Sequence, residues 1–486
     1  MRRLVSLCLC LSGLILLPHA QANPTTQSVS MVTTPPNPAR DGAPTLGLVL
    51  QRVKQHYPPL LAAEQERLAA EAEWLAAQGA FDPALRSRVA HTPIGQYPQT
   101  RVDASVEQAT PWGGASWFGG YRLGTGKIAP YDGKWETNDG GELRMGVQVP
   151  LWRNGVIDRR RLTLWRAEAG LDIATANLTQ QRLEAWRQAA VRYWEWVAAT
   201  HKAHLAQKLL ELAQNRERDL AEAVRRGNIP AIESIENQRA IAQRHAQWVQ
   251  NQRQQTQSTI ELSLFFRDDQ GQPYLVSHPT PPPPWPTPTS NANTPKQRID
   301  TAMRHRPERQ RLRAQTQQAE WELQFAANQV NPVVDLSLSG AQDLGAGSLQ
   351  RANPELEGSL NLDIPLRNRG PEGRLAQAEA ALRRLSAQTR LVDDRITAEV
   401  KDATNAVETA QERLKWVSNE RAIAQDLESR ERERFKLGDG TMFMVNLREQ
   451  TTFEARIREI DAQLDHARAL AALQAATGWP ESNPSP

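Results

Sequence analysis

The sequence predicts a mainly α-helical chain with a membrane β part: a long coiled-coil α-helical barrel joined to a transmembrane β-barrel that several copies of the chain complete. Three observations carry this reading. One programme of helix, strands, very long helix, tight glycine break and medium helix is written twice. The long helices run far past the depth of a compact core: Asp158 to Arg226 is 69 residues without proline. The clearest strands alternate apolar and polar residues, so that each presents one whole face to lipid.

The chain has 486 residues, 40% of them hydrophobic, yet after the N-terminus no apolar run reaches the ~18–20 residues of a membrane-spanning helix. That excludes a polytopic helical membrane protein. Residues 1–22 read as a secretory signal: Arg2-Arg3 is a basic start, Leu4 to Leu17 is apolar, and Ala20-Gln21-Ala22 is a small-x-small cleavage pattern, which puts the mature start at Asn23. Cys8 and Cys10 both lie inside that segment, so the exported chain is expected to hold no disulfide, thiolate metal site or lipid-bearing cysteine. Without Arg2 and Arg3 the formal charge of +3 falls to near +1, which gives no footing for nucleic acid.

Residues 23–44 are Pro/Thr/Ser-rich and read as a flexible arm. The first repeat covers 45–270. Its helical pattern from Thr45 to Gln78 is stopped by Phe81-Asp82-Pro83. A β region, 84–151, follows. In it Leu143, Met145, Val147, Val149 and Leu151 share one face, and Glu142, Arg144, Gly146, Gln148 and Pro150 the other. The long helix then runs to a break at Gly227-Asn228-Ile229-Pro230, and a shorter helix ends near Phe266. Residues 271–295 form a Pro-rich linker, read as a stiff polyproline spacer because seven of the ten residues from Pro279 to Pro288 are proline.

The second repeat covers 296–478, ahead of a tail at 479–486. His56-Tyr57-Pro58 and His305-Arg306-Pro307 are 249 residues apart, and so are Pro83 and Pro332. Its β region, 333–366, holds Leu356, Gly358, Leu360, Leu362, Ile364 and Leu366 on one face. Val149-Pro150-Leu151 and Ile364-Pro365-Leu366 are counterparts, and each is followed by a turn, containing Gly155 in one copy and Gly370 in the other. The long helix from Glu372 to Leu437 breaks at Gly438-Asp439-Gly440. Leu375, Ala378, Leu382, Leu385, Thr389, Val392, Ile396, Val400, Ala403, Val407, Ala410, Leu414 and Val417 mark a continuous packing seam along it. At 1.5 Å per residue such a helix is roughly 100 Å long, which requires an elongated bundle or tube.

The two β regions offer about four strands, and a bacterial barrel needs at least about eight, so several chains must combine. Trp112, Trp117, Trp135 and Trp152 cluster in the first region with Tyr97, Phe118, Tyr121 and Tyr131, the composition of an interfacial aromatic belt. The first region is also the longer, with 67 residues from Pro83 to Pro150 against 33 from Pro332 to Pro365, through either longer loops or an added hairpin.

The signal segment, the two repeats, the strands ending in Val-Pro-Leu-Trp-Arg-Asn-Gly and Ile-Pro-Leu-Arg-Asn-Arg-Gly, and the glycine-broken long helices together resemble the TolC-like outer-membrane efflux and secretion channels, over residues 45–478. The resemblance implies a homotrimer with one twelve-stranded barrel in the Gram-negative outer membrane and a hollow helical tunnel in the periplasm. The tunnel tip would dock a periplasmic adaptor (membrane fusion protein) and an inner-membrane pump of RND or ABC type, for drug efflux or type I secretion. The duct itself would be a passive conduit without cofactor.

The same resemblance makes Gly227, Asn228, Gly438 and Gly440 the tip turns. It suggests pore-entrance or adaptor-contact roles for Glu233, six positions after Gly227, and for Glu236. The second repeat departs from this pattern, with Met444 at the equivalent step and Asn446 nearby. His201 and His204, spaced i, i+3, lack a third metal ligand. Gly124-Thr125-Gly126-Lys127 lacks the first glycine and the Ser/Thr of a phosphate loop. No catalytic constellation is present. A periplasmic adaptor or coiled-coil scaffold is the rival reading, disfavoured by two tandem copies and by strands with a wholly apolar face.

Overall fold

The computed structural model describes residues 44–276, 282–286 and 294–478. The expected signal segment, nearly all of the N-terminal arm, the C-terminal tail and half of the Pro279–Pro288 run lie outside the described residues.

Each repeat opens with two helices where a single helical stretch is expected. In the first they are α1 (Leu46–His56) and α2 (Pro58–Gln78). The prolines explain the break: a residue before proline is pushed out of the helical region, and Tyr57 sits at φ −77°, ψ 115°. Side-chain capping starts α1, with Thr45 accepting from the Leu48 N–H at 3.3 Å. The repeat continues through α3 (Arg159–Arg225) and α4 (Ala231–Ser263).

The second repeat places α5 (Pro295–His305) and α6 (Pro307–Asn328) before α7 (Arg369–Lys436) and α8 (Met442–Ala476). Its break is the same, with Arg306 at ψ 123° before Pro307. All thirteen expected seam residues of α7 are buried or half-buried, and Ile396 and Val400 lie at the centre of a cluster with Ala302, Leu473 and Ala476.

The helices form one layer four wide. Nearest the sheet the order is α2, α3, α6, α7; nearest the tip turns it is α4, α3, α8, α7. The main core lies where the two arrangements meet. There Val49, Val53 and Leu60 pack on Trp194, Trp196 and Val197, with Leu262, Phe265 and Phe266. Residues 282–286 of the linker lie against α3. Trp285 stacks on Trp194 with ring centres 5.9 Å apart, and His201 Nε2 lies 2.8 Å from the Pro283 carbonyl.

The β regions make a single antiparallel sheet of six strands in chain order: β1 (Ala84–Thr92), β2 (Gln99–Ala109), β3 (Ser116–Gly126), β4 (Glu142–Pro150), β5 (Val333–Asp343) and β6 (Glu355–Asp363). This corrects the expected count of about four. The extra length of the first region is an added hairpin, four strands against two, and β4 pairs with β5 to join the repeats, Val147 opposite Leu338. β1 follows α2 and β6 precedes α7, so sheet and helical layer share the same two open edges.

Candidate functional site

The strand register fixes what each sheet face carries. Residues directly opposite each other share a face, so Leu143, Met145, Val147 and Val149 of β4 stand with Tyr121, Gly119 and Trp117 of β3 and with Leu336 and Leu338 of β5. Carried outward, this face holds Val102, Ala104 and Val106 of β2, Leu85 and Val89 of β1, and Leu356, Leu360 and Leu362 of β6. Met145 and Leu356 are 69% and 85% exposed, an arrangement stable in lipid and unfavourable in water.

The opposite face is charged. Arg86 pairs with Glu107 at 2.8 Å, Arg144 with Asp103 at 2.5 Å, and Arg122 with Glu142. Phe118 is the aromatic exception here, with the Arg144 guanidinium 5.9 Å from its ring centre. At the sheet end away from the helices, the β3–β4 loop folds over this charged face. Asp132 pairs with Arg101 at 3.1 Å, and Thr137 Oγ1 accepts from the Gly124 N–H at 3.2 Å. A side chain at Gly124 would collide with the Trp135 carbonyl, so glycine permits the loop's approach.

Three of the four belt tryptophans gather at the helix-proximal end of the sheet. Trp112 lies in the β2–β3 turn, Trp117 near the start of β3 on the apolar face, and Trp152 just past β4, all exposed. Trp135 sits at the far end, with the Arg101 guanidinium 5.6 Å from its ring centre, where the β3–β4 loop turns toward the charged face.

The strand-to-helix turns differ between the repeats. After Pro150 the chain turns through Asn154, the one described non-glycine residue with positive φ, at 69°, and Gly155. The buried Arg161 clamps this turn. Its guanidinium donates to the carbonyls of Asn154 (2.6 Å), Gly155 (3.0 Å) and Val156 (2.8 Å), while its Nε meets the Asp158 carboxylate at 2.9 Å. Asp158 also caps α3 by accepting from the Arg161 N–H. In the second repeat Pro365 precedes the turn, but Gly370 falls inside the first turn of α7, which begins at Arg369. Asn154 and Gln329 join the repeats at this level, at 2.9 Å.

At the other end of the long helices, both glycine breaks close as Schellman motifs. Gly227 and Gly438 have φ of 75° and 81°. The Asn228 N–H donates to the Ala223 carbonyl at 2.9 Å, and the Asp439 N–H to that of Arg434 at 3.0 Å. Gly440 has an ordinary φ but lies close behind the Phe435 backbone. Glu233 accepts from the Met442 N–H at 2.7 Å, so a first-repeat acid caps a second-repeat helix. Glu236 pairs with Arg239 at 2.7 Å.

Asn446 is buried, and its amide oxygen accepts from Arg216 and Arg244. One turn on, the wholly buried Glu449 carboxylate meets Arg216, Arg244 at 2.8 Å and Arg432 at 2.9 Å, which ties α3, α4, α7 and α8 together. Burial alone would push this carboxyl up, but the charges of Arg216 and Arg244 outweigh it and hold it below the usual carboxylate range. Among the described residues no group of three or more His, Cys, Asp or Glu is placed to hold a metal. No described helix is long and apolar enough to cross a membrane.

Residues 299–479 match the family model described as outer membrane efflux protein. The same architecture recurs in solved channels. The outer-membrane channel OprN superposes with TM-score 0.63 at 16% identity, covering 90% of this chain and 91% of that one. The chain has the fold of a TolC-like outer-membrane efflux channel. The open state of the Neisseria gonorrhoeae MtrE outer membrane channel gives 0.62 at 15%, over 90% and 89% of the two chains. The Vibrio cholerae outer membrane protein VceC gives 0.61 at 17%, over 89% and 96%. No curated protein matches the sequence.

Within this TolC-like fold, Gly227 and Gly438 stand at the breaks that follow the long helices and Gly155 lies in a turn, whereas Gly370 is part of α7 and not of the turn expected for it. Arg161 and Glu449 were missed. Asp158 three residues before Arg161 was a readable capping signal, whereas the three arginines of Glu449 come from three other helices and have no local signature.

Proposed function

We propose that the chain is one subunit of an outer-membrane exit duct for a tripartite efflux pump or a type I secretion system, assembled as a homotrimer and passive in itself. The observation that carries this is the coincidence of edges. A six-stranded sheet with one lipid-compatible face and one charged face continues into a four-helix layer, and both stop at the same two sides. An open sheet edge is costly in lipid, so the wall must close through further copies.

The helical edges carry matching unpartnered stripes. Leu61, Leu68 and Leu75 are exposed along α2, and Ile232 and Ile235 along α4. On the α7 side the exposed residues are Leu391, Trp416, Ile423 and Leu427. Joining one side to the other is a head-to-tail contact, which forms a ring where the repeated rotation completes a circle. The tip turns would then face the periplasm, where a membrane fusion protein and an RND or ABC pump deliver cargo.

Fractionation of cells producing the chain tests this. Recovery from the outer membrane, extractable only with detergent and sedimenting as three copies, is expected; a soluble periplasmic monomer overturns it.

A further inference from the structure

The added hairpin changes the wall. We propose that β1 of one copy pairs with β6 of the next, with the β1–β2 hairpin inside the barrel wall, so that three copies close on eighteen strands in place of the twelve implied by the family resemblance. The inference rests on the trimeric duct reading and adds the strand count and the edges that meet.

Four observations support it. The hairpin is not appended to the sheet: all eleven residues of β2 pair with β3, from Gln99 opposite Gly126 to Ala109 opposite Ser116. Both strands keep the facing of the wall, with Leu85, Val89, Val102 and Val106 on the apolar side, where Ser87, His91, Thr100 and Gln108 stand between and beside them, and Arg86, Arg88, Arg101 and Asp103 on the charged side. β1 and β6 are the sheet's two ends and run in opposite directions, since every neighbouring pair between them is antiparallel; a rotation about the barrel axis therefore brings them together as an antiparallel pair.

The edges are also complementary in charge. On the charged face β1 carries Arg86 and Arg88 and no acid, while β6 carries Glu355, Glu357 and Asp363 and no base. Cross-strand pairs of opposite charge favour that neighbour, and β1 against a second β1 would set arginines side by side. Barrel diameter grows roughly linearly with strand number, so the wall would be about one and a half times as wide as a twelve-stranded one. The inward-folded β3–β4 loop then has room over the charged face without filling it.

Disulfide trapping tests the edge. Cys8 and Cys10 are the only cysteines in the sequence, and both precede the expected cleavage site. Arg88→Cys is combined in turn with Glu357→Cys, Ser359→Cys and Asn361→Cys, and the trimer in native outer membrane is mildly oxidised. At least one pair is expected to give covalent dimer and trimer bands that collapse on reduction. Phe118→Cys with Ser359→Cys reports the alternative, in which β3 meets β6 of the next copy and the hairpin lies outside a twelve-stranded wall.

Should the cysteine variants fail to assemble, charge reversal gives a second readout. Arg88→Glu should lower the temperature at which the trimer dissociates in detergent, and Glu357→Arg in the same chain should recover part of the loss. A trimer that cross-links through β3 and not β1 overturns the eighteen-stranded wall and leaves the duct standing. A chain that never forms a trimer overturns the duct reading itself and the wall with it.

Discussion

Glu233 and Met442 join the two repeats at the tip, the carboxylate of the first accepting the backbone N–H of the second at 2.7 Å. Met442 opens α8, whose own N-cap, Thr441, accepts from Met444, so the two acceptors satisfy different orphan donors of the same helix end. Glu233→Ala removes the cross-repeat cap, for an expected loss of about 1 kcal/mol in thermal unfolding of the detergent-solubilised protein. Glu236→Ala, which breaks only a neighbouring pair with Arg239 on the same helix, should cost less than half of that.

Glu449 is the larger lock. Glu449→Gln leaves Arg244 buried beside two further arginines with no counter-charge, and a loss on the order of 3–5 kcal/mol is expected from the unfolding midpoint. The wild-type protein should show the matching pH dependence. Because the folded state holds this carboxyl below its ordinary value of 4.5, its contribution is complete above that value and drains away as pH falls through the depressed one. Melting curves between pH 3 and pH 7 should therefore show acid destabilisation of wild type that is reduced in the glutamine variant.

The Schellman glycines predict an order of substitutions. A Cβ at Gly438 meets nothing within 4 Å, so only backbone strain opposes replacement. Gly438→Ala should cost about 1–2 kcal/mol and Gly438→Asn less, since asparagine enters the left-handed region more readily. Gly227 should follow the same order, read from thermal melts of each variant.

Arg161 should resist conservative replacement. Arg161→Lys offers one compact ammonium to acceptors that the guanidinium reaches as a fork, so it should recover little of the loss of about 3 kcal/mol expected for Arg161→Met. Protease cleavage after Arg159 or Arg160 in the folded protein gives a local readout, expected to rise in both variants if the turn is released.

How far the sequence reached depended on how local each signal was. The helix lengths repeat because proline and glycine punctuate them, and the 249-residue offset reproduces α1 as α5 residue for residue in length. β4 and β6 were legible because every residue on one face is apolar or glycine. β1 and β2 were not, because Ser87, His91, Thr100 and Gln108 interrupt their apolar face and blur the two-residue period. Register supplied what composition lacked: Ser87 shares a face with Ala104 and Tyr121 only once the strands are paired. Trp135 shows the same limit, since its side of the sheet is set by the fold of a loop and by Arg101, 34 positions earlier in the chain.

As an exit duct the assembled chain must enclose a water-filled passage through the outer membrane. Single-channel recording of the purified, detergent-extracted protein reconstituted in planar lipid bilayers tests it most directly. Stepwise conductance increments that vanish when the sheet's apolar face is charged, as in Met145→Glu with Leu338→Glu, are the expected result. A trimer that inserts into the bilayer and never conducts, even after the tip is loosened by Glu233→Ala and Glu449→Gln, would contradict the account.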